Sequence, residues 1–538
     1  MHVTVRLAIR RLPCWGILCA GWLGLMTVAP VAWADSTMSS SESPSSVEYH
    51  KGLAKLATGD LEEAQRSFEA SIALDKQNVE AYLGLGETAL RQQRTEEAAA
   101  YLKKAMALAP KDARTQRAWG RYLSMMKQHD EAEKAFVKAT SLDPGFVEAQ
   151  MDLGDLRATV LKKHREAADA YREATRFNTK SLRAHHALAV QLVKIESFQE
   201  AHEAYRKSRG LAPKNPQLAY EEGSLYVREG RPDQALTAFE AAVEAKPTYV
   251  PALLARADLL RSVKHRPDEA AVNYQAVLTQ EPNNVRAHVG LGLTLKLAGK
   301  NDEALAHLKE ATRLAPRDPS PWYELGRLHV RSKKFTEAAV VLETALRADP
   351  KFLPAVVEQA DVQSAQGQFA KAQEGYVSAL QLAPRDSTIH VKLGQAHYHQ
   401  RQWADAQRAF LKAVELSPED ADALNSLAWM AAERGKDLDN AVEWSRKAVK
   451  IQPRNASFTD TQGWVYRARG ELAKAAQSLR EAAMLNPNDP VIHYHLGVVY
   501  GEQRNTKQAK GALQKALSLQ ADFEGSEDAR RRLADLAG

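Results

Sequence analysis

The chain has 538 residues, 73 of them Lys or Arg and 67 Asp or Glu, for a formal charge of +6. Its apolar share of 44% and charged share of 26% are ordinary for a soluble, folded protein. Arg6, Arg10 and Arg11 supply half of the net charge, and the rest is too little over this length to imply nucleic acid as a partner.

Residues 1–34 read as an address. A basic stretch ends at Arg11, an apolar run follows from Leu12 to Ala32, and Ala32-Trp33-Ala34 puts small residues just before Asp35. That is the layout of a secretory signal peptide with its cleavage site, so the mature protein is expected to be exported and periplasmic. The run is also long enough to span a bilayer, so the alternative is a retained inner-membrane anchor facing the periplasm. Neither Cys14 nor Cys19 sits in a lipoprotein signal, because Pro13 and Leu18 precede them, and Arg10-Arg11 lacks the rest of a twin-arginine motif. Both cysteines lie in this segment, so a cleaved chain holds no disulfide, thiolate metal site or cysteine nucleophile. Residues 35–45 are polar and Ser-rich, the composition of a flexible linker.

From residue 45 onward one unit repeats. Prolines recur at Pro110, Pro144, Pro213, Pro247, Pro282, Pro316, Pro350, Pro384, Pro418, Pro453 and Pro487, spaced by 34 or 35 residues with Thr179 standing in once. A fixed period of this size is a solenoid signature. On this frame the twelfth residue before each proline position is alanine in all fourteen copies, from Ala64 and Ala98 through Ala338 to Ala509. A large apolar or aromatic residue usually follows four positions on, such as Phe68, Phe136 or Phe410, and a small one three further. That spacing marks one face of a helix. The first half of the unit carries a small residue, Gly in ten copies (Gly52, Gly86 and Gly326 among them) and Ala in four. A helix-interior glycine costs about 1 kcal/mol, so something must offset it. Close approach of two helices, glycine against alanine, is the expected reason. The proline is expected to stop the second helix. Three copies, over 147–181, 250–284 and 421–455, hold one extra residue, expected in the loop near Lys162, Lys264 and Lys436.

With Leu325, Gly326, Ala338, Leu342, Ala345 and Pro350 and their equivalents in each copy, residues 45–521 resemble the tetratricopeptide repeat family. The resemblance implies an all-α fold, a right-handed α-solenoid superhelix of about 14 tandem helix-turn-helix repeats. Gly86, Ala98, Gly326, Ala338 and Pro350 are structural positions of that repeat. Residues 522–538 are expected to form a capping helix, with Phe523, Leu533 and Leu536 facing back onto the last copy. The resemblance also implies a concave wall lined by the first helices. Carried onto this frame, the inward binding candidates are Arg114, Arg117, Arg121, Tyr220, Tyr323, Arg327, Arg331, Tyr398, Trp429, Trp464 and Arg467, with Tyr494 beyond them. Aromatic and Arg side chains are the usual anchors for a bound partner. Packing against neighbouring helices is the competing role, above all for Trp429 and Trp464, and it is the role expected of Trp119, Trp322 and Trp444.

The sequence offers no catalytic motif. Gly292 to Gly299-Lys300 has the wrong spacing for a Walker A loop, and Asn301 replaces its hydroxyl residue. Neither G-x-S-x-G nor H-E-x-x-H occurs, and none of the sixteen histidines pairs at i, i+3 or i, i+4 as a helical chelate requires. No catalytic residue, metal site or cofactor is therefore expected. The expected function is a non-enzymatic protein-binding scaffold of a bacterial envelope, in the manner of repeat-only proteins of exopolysaccharide secretion. Its partners would be other proteins, held as extended peptide or in an envelope complex, or a polysaccharide; the membrane would enter only through an uncleaved signal. The alternatives are an accessory subunit of a glycosyltransferase or other enzyme, and a membrane-anchored assembly factor.

Overall fold

The computed structural model describes residues 43–536. The leader expected over 1–34 and most of the linker expected over 35–45 lie outside the described residues. Pro44 already opens the first helix, Pro44–Thr58, behind Ser43, whose hydroxyl accepts from the amide of Ser46 at 3.2 Å. Twenty-nine helices follow one another among the described residues, and none of these residues forms a strand.

The chain divides into two compact units that meet in sequence at Gln280 and Glu281. The first holds seven helical hairpins, from Pro44–Thr58 with Leu61–Leu74 to Val250–Ser262 with Pro267–Gln280. The second holds seven more, from Val285–Leu297 with Asn301–Leu314 to Pro490–Glu502 with Thr506–Leu519, and then a last helix, Ser526–Asp535. Within each unit the second helix of one hairpin packs on the first helix of the next. The loops from residue 44 to 519 are never longer than four residues.

The alanines of the repeat are wholly buried, as at Ala98, Ala338 and Ala406. The glycine-to-alanine contact expected between the paired helices is corrected by the structure. A Cβ on Gly326 would lie 2.7 Å from Cγ and Cδ2 of Leu342, and one on Gly52 would lie 2.5 Å from the Phe68 ring. The glycine leaves bare backbone on which the large residue one turn beyond the alanine lies flat. At Gly292 and Gly463 the alanine carbonyl also comes near, at 3.2 and 3.3 Å. Burial of that large side chain offsets the helix penalty of the glycine.

The second helices stop two residues before the proline. Leu314 is the last helical residue, Ala315 leaves the helical region at φ −128° and ψ 66°, and Pro316 follows. Proline excludes its predecessor from helical geometry by a clash with its own ring. Asn178 adopts the same geometry before Thr179 (φ −127°, ψ 86°), so the stop belongs to the turn, and proline is suited to it rather than its sole cause.

Inside the hairpins the tight loop takes one residue into left-handed geometry. Glycine fills it at Gly299 and Gly367, but Gln93, Lys127, Lys333, Arg401 and Arg504 adopt it with φ between 56° and 61°. The extra residue lengthens two of these loops, at 160–163 and 263–266. In the third copy it lengthens the helix instead: Ala421–Arg434 has 14 residues where the usual first helix has 13, and it ends on Gly435 at φ 61°. Among the described residues no helix is long and apolar enough to cross a membrane.

Candidate binding surface

Successive first helices touch one another within each unit, as 79–91 does 113–125 and 421–434 does 456–468. They therefore share one face, and the candidate side chains stand on it. Their freedom depends on what that face already satisfies.

In the first unit the three arginines of Ala113–Met125 are paired. Arg117 Nε reaches Asp152 at 2.7 Å on the following first helix, and Arg121 Nη1 reaches Glu87 at 2.9 Å on the preceding one. Arg114 binds Asp112 at 2.7 Å and Glu80 at 3.0 Å. Burial alone would raise the Asp112 carboxyl, but its hydrogen bonds from the side chain and backbone of Arg114 hold it below the ordinary range. These arginines staple neighbouring hairpins together.

Aromatic contacts account for three more inner-face residues, Tyr220, Tyr323 and Tyr494, and add to the hold on Arg117. Most first helices start behind an Asn or Asp two residues after the proline, such as Asp112, Asp318 and Asp386, whose carboxylate or amide oxygen accepts a backbone N–H. Three helices start behind an aromatic residue with no side-chain cap: Phe146, Tyr249 and Phe352. Each of these rings packs on an inner-face residue of the preceding hairpin. The Arg117 guanidinium lies 5.5 Å over Phe146, and Tyr220 and Tyr323 meet Tyr249 and Phe352 edge-on at 5.9 and 5.7 Å. Phe523, two residues ahead of the Gly525 that precedes the last helix, lies 6.0 Å from Tyr494. The signal for this arrangement, an aromatic in place of Asp or Asn after Pro-x, is readable in sequence once the cap position is known.

In the second unit four consecutive first helices bring together Tyr398, Trp429, Trp464 and His495. Trp429 Nε1 donates to Tyr398 Oη at 3.0 Å, the two indoles stack at 6.3 Å, and Trp464 stacks on His495 at 4.1 Å. Arg467 lies 4.3 Å over Trp464 and is held at 2.6 Å by Glu502. Trp464 Nε1 donates to Glu433 at 2.8 Å, and His495 Nδ1 lies 2.9 Å from Asp460. Trp464 and His495 retain 8% and 4% of their exposure, so both belong to the packed interior. Tyr398, Trp429 and Arg467 remain half-buried and line the surface. Trp119 and Trp444 pack against buried clusters while partly exposed; Trp322 does the same and donates to the carbonyl of Pro316 at 3.2 Å.

Arg327 and Arg331 differ from the arginines of the first unit. Arg327 lies 5.6 Å over the Tyr323 ring and meets Glu324 only at 3.4 Å, and Arg331 is exposed with no ion pair among the described residues. Burial pushes the Tyr323 hydroxyl up to about 12. The sequence reading passed over Lys296, which stands on the same face.

Comparison with known proteins places this geometry. A family model described as Tetratricopeptide repeat matches residues 49–113, 117–181 and 186–250, and a second of the same description matches 264–325. A third, described as Cilia and flagella-associated protein 70 C-terminal domain, matches 325–536. Human Protein O-mannosyl-transferase TMTC3 is 24% identical over 321 residues, which is 56% of this chain and 35% of that protein. Arabidopsis thaliana SPINDLY, a probable UDP-N-acetylglucosamine–peptide N-acetylglucosaminyltransferase, is 34% identical over 102 residues, 19% of this chain and 11% of its own length. These matches thus span about a third and about a tenth of the relatives' lengths. The solved structure of the APC/C hetero-tetramer Cut9-Hcn1 aligns at a TM-score of 0.41 and 17% identity, covering 91% of this chain and 96% of that one.

Proposed function

Because the chain belongs to the tetratricopeptide repeat family, we propose that it is a non-catalytic scaffold that holds an extended segment of another protein along the face of its first helices. The observation that carries this reading is the partial satisfaction of that face. Its first-unit arginines are engaged in stapling, whereas Tyr398, Trp429, Arg327 and Arg331 in the second unit keep exposed surface with charge or π-faces to spare. Arg and aromatic side chains on a pre-ordered surface are efficient anchors, because little freedom is lost when they engage. The helices tile residues 44–519 with loops of four residues or fewer, which supports a holding role over chemistry of its own. The leader-like N-terminus supports export to a bacterial envelope, where assembly or exopolysaccharide secretion is the proposed setting.

Crosslinking in the native cell, followed by mass spectrometry, tests the reading. Envelope proteins caught through residues 319–331 and 387–434 are expected; only cytosolic proteins, or crosslinks confined to the opposite face, would refute it. An N-terminus beginning at Asp35 would support cleavage, and one retaining residues 12–32 would favour the anchored form. The names of two relatives favour a second reading, an accessory subunit whose partner transfers sugar. On either reading the purified chain alone does not turn over a sugar nucleotide.

A further inference from the structure

Resting on that peptide-holding reading, we propose that helices 285–297, 319–331 and 353–365 form a pocket for an acidic side chain in the middle of an extended peptide, with Lys296, Arg327 and Arg331 taking its carboxylate. Lys296 keeps only 9% of its surface exposed, and among the described residues its ammonium makes no hydrogen bond and no ion pair. Its Nζ is not one of the fully buried polar atoms without a partner, so the stem is packed while the ammonium stays within reach of solvent and of a ligand. The fold does not require this cation, because the same register position holds Leu90, Ala158, Val193, Val227, Val330 and Ala432 in other copies. Still other copies carry Ser124, Arg261, Ser364, Tyr398 and Arg467 there, so the fold accepts apolar, polar and charged side chains at this position and fixes no cation, and a cation left without an ion pair points to a use outside folding.

The neighbours sharpen the case. Elsewhere on this face, residues one repeat apart carry opposite charge and pair, as Arg117 with Asp152 and Arg467 with Glu502 do. Lys296 has Arg331, a like charge, 35 residues on, the separation at which both of those pairs form. Burial and then Arg327 push the Lys296 ammonium below its ordinary value, with Arg331 adding to this and Glu324 and Glu358 opposing it. Burial pushes the Glu358 carboxyl up, and Glu358 has no ion pair among the described residues. An incoming carboxylate would relieve the repulsion among the three cations.

The two glutamates select the ligand. Three cations against two carboxylates leave a balance that suits one monoanion. A phosphate dianion would meet repulsion from both glutamates. Glu324 and Glu358 are acceptors suited to backbone N–H groups on either side of the acidic residue, which an internal segment has and a chain terminus lacks on one side. Tyr323 and Phe352, edge to face beside Arg327, offer an apolar shelf to an adjoining side chain.

The test uses the full chain and a bead library of acetylated, amidated decapeptides that includes phosphoserine. Bound beads should be enriched at least tenfold in Asp or Glu. Peptides resynthesised from them should bind Lys296→Leu and Arg331→Ala at least tenfold more weakly, while both variants melt no lower than the parent. Binding to Lys296→Leu as tight as to the parent overturns the proposal, as does a preference for phosphoserine over Asp and Glu. Bound beads without acidic enrichment overturn it and leave the peptide-holding reading standing. No bound beads at all overturn both.

Discussion

At the scale of single residues, the same amino acid plays opposite parts according to what lies above it. Gly326 lies under the fully buried Leu342, whereas Gly511, inside helix 506–519, faces open space. Alanine at 326 must push Leu342 aside, an overpacking that costs about 1–3 kcal/mol and outweighs the helix-propensity gain of about 1 kcal/mol. Alanine at 511 keeps that gain without a clash. Urea denaturation should therefore show Gly326→Ala destabilised and Gly511→Ala stabilised by about 1 kcal/mol. Loss of stability in both would show that the open space at Gly511 is filled in solution. The register of these glycines was readable from the period alone; which side chain each one accommodates was not, since that depends on how the second helix crosses.

At the scale of one helix or hairpin, ends and facing pairs decide stability. Asp318 accepts from the Ser320 amide at 2.9 Å and starts helix 319–331. Asp318→Ala should cost about 1 kcal/mol, read as a fall in the denaturation midpoint, with Asp318→Asn restoring most of it. A second device joins the helices of the hairpin 285–314. His288 Nε2 lies 2.9 Å from the Pro282 carbonyl, so it donates, and Nδ1 of the neutral ring accepts from His307 Nδ1–H at 3.0 Å. Burial, and then the neighbouring His288, hold His307 below its ordinary 6.5. The unfolded chain therefore takes up the proton first. The stability tied to the neutral ring is present in full above about 6.5 and is lost as pH falls from there through the lower folded value. Melting at pH 7.5 and 5.5 should show a drop in the parent that shrinks in His307→Gln; an equal drop in both would remove His307 from the account.

At the scale of the molecule, each hairpin leans only on its neighbours, so damage should stay local. Ala338 is wholly buried, and Ala338→Leu overpacks its hairpin by about 1–3 kcal/mol. Hydrogen exchange should then speed up across 319–348 and the adjoining hairpins while 456–519 keeps its protection. Uniform loss across the second unit would mean that it unfolds as one cooperative body. The same locality makes the inner face a series of separate decisions. Stapling in the hairpins around Arg117 leaves little for a partner, whereas Lys296 and Arg331, without ion pairs among the described residues, leave more.

The period, the number of hairpins, the buried alanines and the solenoid architecture were determined by the sequence itself. In a repeat each contact recurs at a fixed separation, so local patterning repeated fourteen times already specifies the neighbours. The tertiary structure alone decided which inner-face residues are free. Arg114, Arg117 and Arg121 look like binding anchors until their carboxylates on adjoining helices are seen, and Trp464 looks like a platform until Glu433, Arg467 and His495 are found around it. Lys296 was invisible as a site because its significance lies in a missing partner. Absence of a counter-charge is a property of three-dimensional surroundings, and residue order does not encode it position by position.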